Sequence, residues 1–405
     1  MGKPIYLYVT PFFPSPANWR GSYGFDFVRE LIATGAYEVH VFVPGRGEDY
    51  TYQGVAVHRF RVKALPSAVL PFLFHGFNER SFLKKVADVG IEVRRVAVCH
   101  GNTATFGIFP LALKRLNPAC KTLLHHHDLQ SFGMNGGRLR HCWLHNVIVY
   151  PQLRAAHDAI DCHIFISEAS RRSFLAAPRT DWTDYADYTR QFRGLGFYRG
   201  VTVKQSLILH NGVDTSLFMP AARGTDPKEK GTRNAGTGPL RIGCIGNFEA
   251  LKDQISLIRA VERLDFPVQV IFVGSGSTLD ACRAEAARVT AAKPNATFEF
   301  RAEVRHEQLP AFYRELDLFV LPSYFEGFGC VYTEAWCCGV PFIACEGQGI
   351  EDLIAPEDRA LWLARPRDPS DLAAKIAHYH AQRPMQRLTG EVDIRKLVAE
   401  FVAHV

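Results

Sequence analysis

Residues 240–260 read LRIGCIGNFEALKDQISLIRA, and VGSGS follows at 273–277. The first stretch is an apolar, β-branched run, a glycine-containing turn and an amphipathic segment, which predicts strand, turn and helix. Gly243 and Gly246 bracket the end of the strand, and Lys252 stands at the mouth of the helix. Helix-terminal amides and one ammonium placed this way converge on the oxygens of a diphosphate. Gly274 and Gly276 predict a second place where a ligand approaches the backbone closely. Each signal is weak alone, because glycine turns after strands are common and most lysines are solvated surface charges. Asn247, between the glycine turn and Lys252, offers an amide but no charge.

The same pattern repeats in both directions. PIYLYV, YEVHVFV, RVAVC, KTLLH, CHIFI and SLILH precede this unit, and VQVIFVG, LDLFVLP and PFIAC follow it, each separated from the next by helical patterns. Buried strands alternating with helices predict parallel sheets. Between the two series lies MPAARGTDPKEKGTRNAGTGP, residues 219–239, rich in Gly, Pro and charge and free of aromatics, which reads as a linker. The expected architecture is α/β: two Rossmann-like doubly wound domains facing a central cleft, at 1–218 and 240–392, with the helical segment 393–405 placed to pack back on the first. Ligand sites belong at the carboxyl ends of such strands.

One such end carries two acids. The stretch from Pro322 to Gly349, PSYFEGFGCVYTEAWCCGVPFIACEGQG, puts Glu326 in a turn after LDLFVLP and Glu334 about a turn and a half into the following helix. Both can then face one cleft, one carboxylate holding a sugar and the other a ribose. The plain alternative is a helix cap and a solvated glutamate. Gly327, Phe328 and Gly329 argue for the site, because two glycines leave room for a ligand against the backbone.

Composition narrows the classes. A formal charge of +6 arises from 47 basic and 41 acidic residues with no long single-sign run, so no nucleic-acid footprint is expected. The ten cysteines form no CxxC pair, which suits a reduced, cytoplasmic compartment. No signal peptide is expected ahead of PIYLYVT, and ALPSAVLPFLF at 64–74 is too short and proline-broken to span a bilayer, leaving peripheral contact at the inner membrane face as the expected limit. The chain lacks GxGxxG, GxxxxGK[ST] and a DxD pair, which argues against a dehydrogenase, a P-loop NTPase and a metal-borne diphosphate.

Seven of the sixteen histidines fall between His125 and His163, and His141 and His145 have the spacing of helical metal ligands. No glutamate accompanies that pair, and neighbours in the strand-like run His125–His127 point to opposite faces, so scattered histidines are expected and no metal site. The aromatic and arginine-rich segment 179–199 reads as the packed face of a helical insertion.

Taken together, GNFEALKDQISLIRA, FVGSG, LDLFVLPSYFEGFG, TEAWCCGVPFIA and GQGIEDLI resemble, in order, the retaining GT-B-fold glycosyltransferases of family 4, and Glu326 to Glu334 matches the family's E-x7-E pattern. The first half is a weaker match, through RGSYG at 20–24, LLHHHDL at 123–129, FISEASRRSF at 165–174 and HNGVDTSLF at 210–218. The resemblance implies a metal-independent transferase without a cofactor, moving a sugar from a nucleotide-diphosphate donor to a glycan or lipid-linked acceptor in envelope polysaccharide synthesis. It implies that Lys252 binds the diphosphate, Glu326 the transferred sugar and Glu334 the ribose. His127 would lie near sugar and acceptor, and the loop of Gly21, Ser22 and Gly24 would skirt the phosphates. Such enzymes are thought to let the leaving phosphate take the acceptor's proton. Asn247 stands where the family usually has arginine, with Arg301 as a candidate substitute, and Ala302 where it has glycine. That departure keeps alternatives open: a catalytically weak or inactive subunit that binds nucleotide sugar, or a nucleotide-sugar epimerase.

Overall fold

The computed structural model describes residues 2–16, 21–63, 74–127, 150–175, 201–220 and 238–405. The chain forms two compact units, residues 1–211 with 394–405, and residues 212–393. The first unit therefore gives up residues 212–218 to the second, and most of the expected linker at 219–239 lies outside the described residues. The segment 179–199, nearly all of 64–74, and His141 and His145 lie outside them as well.

The first unit holds one eight-stranded sheet, ordered β3-β4-β2-β1-β5-β6-β7-β8. Its strands are β1 (Ile5–Val9), β2 (Glu38–Pro44), β3 (Tyr50–Tyr52), β4 (Val55–Phe60), β5 (Val96–Asn102), β6 (Lys121–His126), β7 (Cys162–Phe165) and β8 (Ser206–Ile208). All neighbours are parallel except β3 and β4. Both faces are covered, as parallel sheets require. Ile5, Leu7 and Val9 join Phe42, Phe82 and Phe109 on one face, whereas Tyr6 and Tyr8 join Phe27 and Val28 on the other. The C-terminal helix Ile394–His404 belongs to that second layer: Ile394, Leu397, Val398 and Phe401 are buried there, and Phe401 meets Phe27 of the helix Ser22–Ala33 edge-on at 5.4 Å.

The second unit holds a six-stranded parallel sheet, ordered β11-β10-β9-β12-β13-β14. Its strands are β9 (Leu240–Ile245), β10 (Val268–Val273), β11 (Ala296–Arg301), β12 (Leu318–Val320), β13 (Phe342–Cys345) and β14 (Leu363–Ala364). The order runs outward from β9 in one direction and, starting with β12, in the other. A switch point therefore opens between β9 and β12, and in the first sheet a corresponding one opens between β1 and β5. All ten strands expected from apolar runs form; β3, β4, β11 and β14 were not expected. The β3–β4 hairpin turns through Gln53 and Gly54, both at positive φ, a two-residue turn without the usual Asn-Gly signal. Among the described residues no helix is long and apolar enough to cross a membrane.

Candidate functional site

In the second unit the two loops at the switch point leave the carboxyl ends of β9 and β12. The loop after β9 is shaped by its own chain. A Cβ on Gly274 would stand 2.2 Å from the carbonyl oxygen of Gly246, and one on Gly276 would stand 2.4 Å from that of Phe248. The close approach expected at Gly274 and Gly276 is thus backbone against backbone, and it fixes the β9 loop against the end of β10. Asn247 is exposed, and its carbonyl accepts from Gln254 Nε2 at 3.0 Å, which ties the loop to the buried start of the helix Gln254–Glu262.

Lys252 ends a short 3-10 turn, and Asp253 follows in the left-handed region at φ 49, so the chain reverses just before that helix begins. Burial pushes the Asp253 carboxyl up, against the hydrogen bond from Ser256 and the charge of Arg367. The β12 loop is stapled to this turn: Tyr324 N–H and Ser323 Oγ both donate to the Leu251 carbonyl, at 3.0 and 3.1 Å. The staple brings Lys252 Nζ onto Glu326 Oε2 across the switch point, with both side chains about four-fifths buried. Glu326 is itself anchored by its backbone, whose N–H donates to Gln348 Oε1 at 2.6 Å, while its carbonyl accepts from Gly349 N–H at 3.2 Å. Gln348 is buried and donates to the Glu346 carbonyl at 3.0 Å.

Gly329 caps the helix Cys330–Cys337 at φ 81, where a Cβ would stand 2.5 Å from the Tyr332 ring. Gly327 and Phe328 are buried, so the Phe328 ring, 1 % exposed, is part of the core. Glu334 does not join the Lys252–Glu326 pair by any hydrogen bond. Its carboxylate is buried and takes Tyr313 Oη at 2.9 Å on Oε2 and His306 Nε2 at 3.0 Å on Oε1. Burial, then the charge of Glu334 and its hydrogen bond, push the Tyr313 phenol well up, so it stays a donor. Phe218 stacks on both partners, 5.0 Å from His306 and 6.2 Å from Tyr313. Arg301, the candidate substitute for the missing arginine, pairs with Glu299 at 2.7 Å and Glu315 at 3.1 Å. Ala302 is exposed.

The first unit builds its switch point from neutral groups. Gly21 is at φ 94 ahead of the helix Ser22–Ala33, and Gly24 packs over Tyr8, whose hydroxyl would lie 3.2 Å from a Cβ there. Tyr23 of the same loop stacks on His127 at 5.0 Å. Asn102, the last residue of β5, donates Nδ2 to Thr10 Oγ1 at 3.0 Å, and Thr10 donates to the Phe12 carbonyl at 3.0 Å. That orientation turns Asn102 Oδ1 to His127, whose Nε2–H it accepts, leaving His127 Nδ1 as a bare lone pair with no hydrogen-bond partner. Burial pulls the His127 imidazole down to about 4, so it is neutral. Thr103 beside it is held at φ 146, a conformation that costs about 1–3 kcal/mol and is found at sites the surroundings over-determine.

Sequence reasoning missed Asn102, Thr10, Gln348, His306 and Tyr313. No local pattern marks them, since each acts on a residue at least 21 positions away. Phe218 had a signal, the stretch HNGVDTSLF, but no role.

Residues 239–382 match the family model described as glycosyl transferases group 1. D-inositol 3-phosphate glycosyltransferase of Mycobacteroides abscessus is 33% identical over 165 residues, 38% of this chain and 34% of that protein. The chain spans less than half the length of the curated relatives it matches. Sucrose-phosphate synthase from Thermosynechococcus elongatus superimposes with a TM-score of 0.63 at 19% identity, covering 98% of this chain and 94% of that one. HepE of Anabaena, in complex with UDP and glucose, does so with a TM-score of 0.61 at 16% identity, covering 99% of each chain. Residues 239–382 are therefore similar to the glycosyl transferases group 1 family, on a chain with the GT-B fold.

Proposed function

We propose that this chain is a retaining glycosyltransferase that moves a sugar from a nucleotide-diphosphate-sugar donor to a glycan or lipid-linked acceptor, in cell-envelope polysaccharide synthesis. The observation that carries the reading is the Lys252–Glu326 pair across the β9/β12 switch point, within the matched domain. An ammonium has three protons to donate, so Lys252 can keep Glu326 and still neutralise the departing diphosphate. Glu326 then accepts from hydroxyls of the transferred sugar. Glu334 retains lone pairs beyond those used by His306 and Tyr313, and these accept from the ribose. In the reaction the bond from the anomeric carbon to the phosphate oxygen breaks, the acceptor oxygen bonds the same face, and its proton passes to the leaving phosphate. No metal is required for these steps. In this reading His127 serves the sugar and acceptor, and Gly21, Ser22 and Gly24 serve the donor phosphates. The enzyme works at the cytoplasmic face of the membrane.

A second reading, a GT-B subunit that binds nucleotide sugar without turning it over, rests on Asn247 and on Arg301 being committed to Glu299 and Glu315. Incubation of the pure protein with UDP- and GDP-sugars and candidate acceptors separates the two. Sustained acceptor-dependent nucleotide release, abolished in Lys252→Ala and Glu326→Gln, is expected; undiminished release in both variants refutes the assigned roles, and ligand binding without release favours the second reading.

A further inference from the structure

The histidines were expected to be scattered, yet the sheet of the first unit gathers three of them on one face. We propose that His126, His157 and His163 bind a single divalent ion of the zinc class inside that unit. His126 lies on β6 opposite Phe165 of β7, so His163, two residues back along β7, shares its face. His157 comes from the helix Tyr150–Ala159 that leads into β7. All three are buried, and each can present one ring nitrogen within 4.8 Å of the other two.

The hydrogen bonding is that of oriented ligands. His163 Nε2 donates to the main-chain carbonyl of His157 at 3.0 Å, which fixes the tautomer and leaves Nδ1 as a lone pair. His126 Nε2–H donates to that lone pair at 2.9 Å, so an ion that takes both nitrogens replaces this proton. An ion at about 2.0–2.1 Å from each of three tetrahedral nitrogens holds them roughly 3.3 Å apart. The His126–His163 pair must therefore open by a few tenths of an ångström, which rotation of the rings provides. The surroundings are apolar: Phe174 lies 4.4, 5.7 and 5.8 Å from His126, His157 and His163, and Phe165 stacks on His126 at 4.8 Å. In such a layer aliphatic side chains would fill the space without the cost of burying polar rings, so three convergent imidazoles call for a ligand. Nitrogen donors select a borderline transition ion over calcium or magnesium. Among the described residues no cysteine or carboxylate joins the three histidines. The ion would tie β6, β7 and the helix between them together and takes no part in the transfer chemistry.

The test is elemental analysis of the full-length protein purified without chelator, with cobalt(II) substitution as the second measurement. One zinc per chain is expected, falling to none in His157→Gln and in His163→Gln, and the wild-type protein should melt several degrees lower after metal removal and recover when zinc is restored. Cobalt should give tetrahedral d–d absorption without thiolate charge-transfer bands, a readout that does not depend on the variants folding. Absence of stoichiometric metal together with no zinc-dependent shift in melting temperature overturns the site. So does an ion that persists in both variants, one that is lost instead in His141→Asn/His145→Asn, or a cobalt spectrum dominated by thiolate bands.

Discussion

The two switch points differ in what spans them. In the second unit an ion pair, Lys252 with Glu326, bridges the loops after β9 and β12; in the first, a neutral chain, Thr10 to Asn102 to His127, links the ends of β1, β5 and β6. A charged bridge suits a ligand whose leaving group gathers negative charge. A neutral, oriented imidazole with a bare Nδ1 suits hydroxyl groups. Similar doubly wound sheets thus present different chemistry, because the side chains at the strand ends differ while the framework does not.

Phe401→Ala removes a buried ring that closes the first sheet's second layer, and should cost about 3–5 kcal/mol. Thermal melting should fall while nucleotide affinity at the second unit stays unchanged below the transition; an unaltered melting curve would deny that the C-terminal helix is part of the first unit's core. Lys252→Ala should lower transfer about 10²–10³-fold, the scale for losing one preorganised donor to developing charge. It should also destabilise by roughly 1–2 kcal/mol, because the largely buried Glu326 carboxylate loses its hydrogen-bond donor. Steady-state kinetics and melting check both, and full activity would end the charged-bridge account.

Asn102→Leu should cost about 1–3 kcal/mol by orphaning Thr10 and freeing His127 to rotate. Because it touches only the neutral bridge, nucleotide should still bind, and the loss should appear as acceptor-dependent turnover. Equal loss of nucleotide affinity would show that the two bridges are not separable. Smallest in scale is ligand stabilisation: a nucleotide present at about 10 times its dissociation constant should stabilise the wild-type chain by about 1.4 kcal/mol, and Lys252→Ala by less. No shift with UDP, GDP or their sugar derivatives would remove the donor site.

The fold was largely legible in the chain. Each of the ten expected strands is a short apolar run that forms, and most, like β1 and β10, are buried on both faces and have no alternation to blur; β8, with no fully buried residue, forms as well. β3 and β4 escaped because they are an edge hairpin with polar positions and a Gln-Gly turn, and β14 because it is two residues long. Of the candidate site, Lys252 and Glu326 were read from spacing and do meet. Gly274 and Gly276 were read as room for a ligand, and a side chain at either would meet the backbone of residues 246 and 248. Glu334 was expected in the same group as Lys252 and Glu326, and its direct partners are His306 and Tyr313.

What the sequence determined by itself is whatever depends on neighbours along the chain: apolar periodicity, turn residues, and the interval from Glu326 to Glu334 that sets a carboxylate one and a half turns into a helix. Only the tertiary structure decided which strand ends lie side by side. Strand order is fixed by long-range pairing, so the meeting of Lys252 with Glu326 across 74 residues, of Asn102 with Thr10 across 92, and of His126 with His163 across 37 is written in no local pattern.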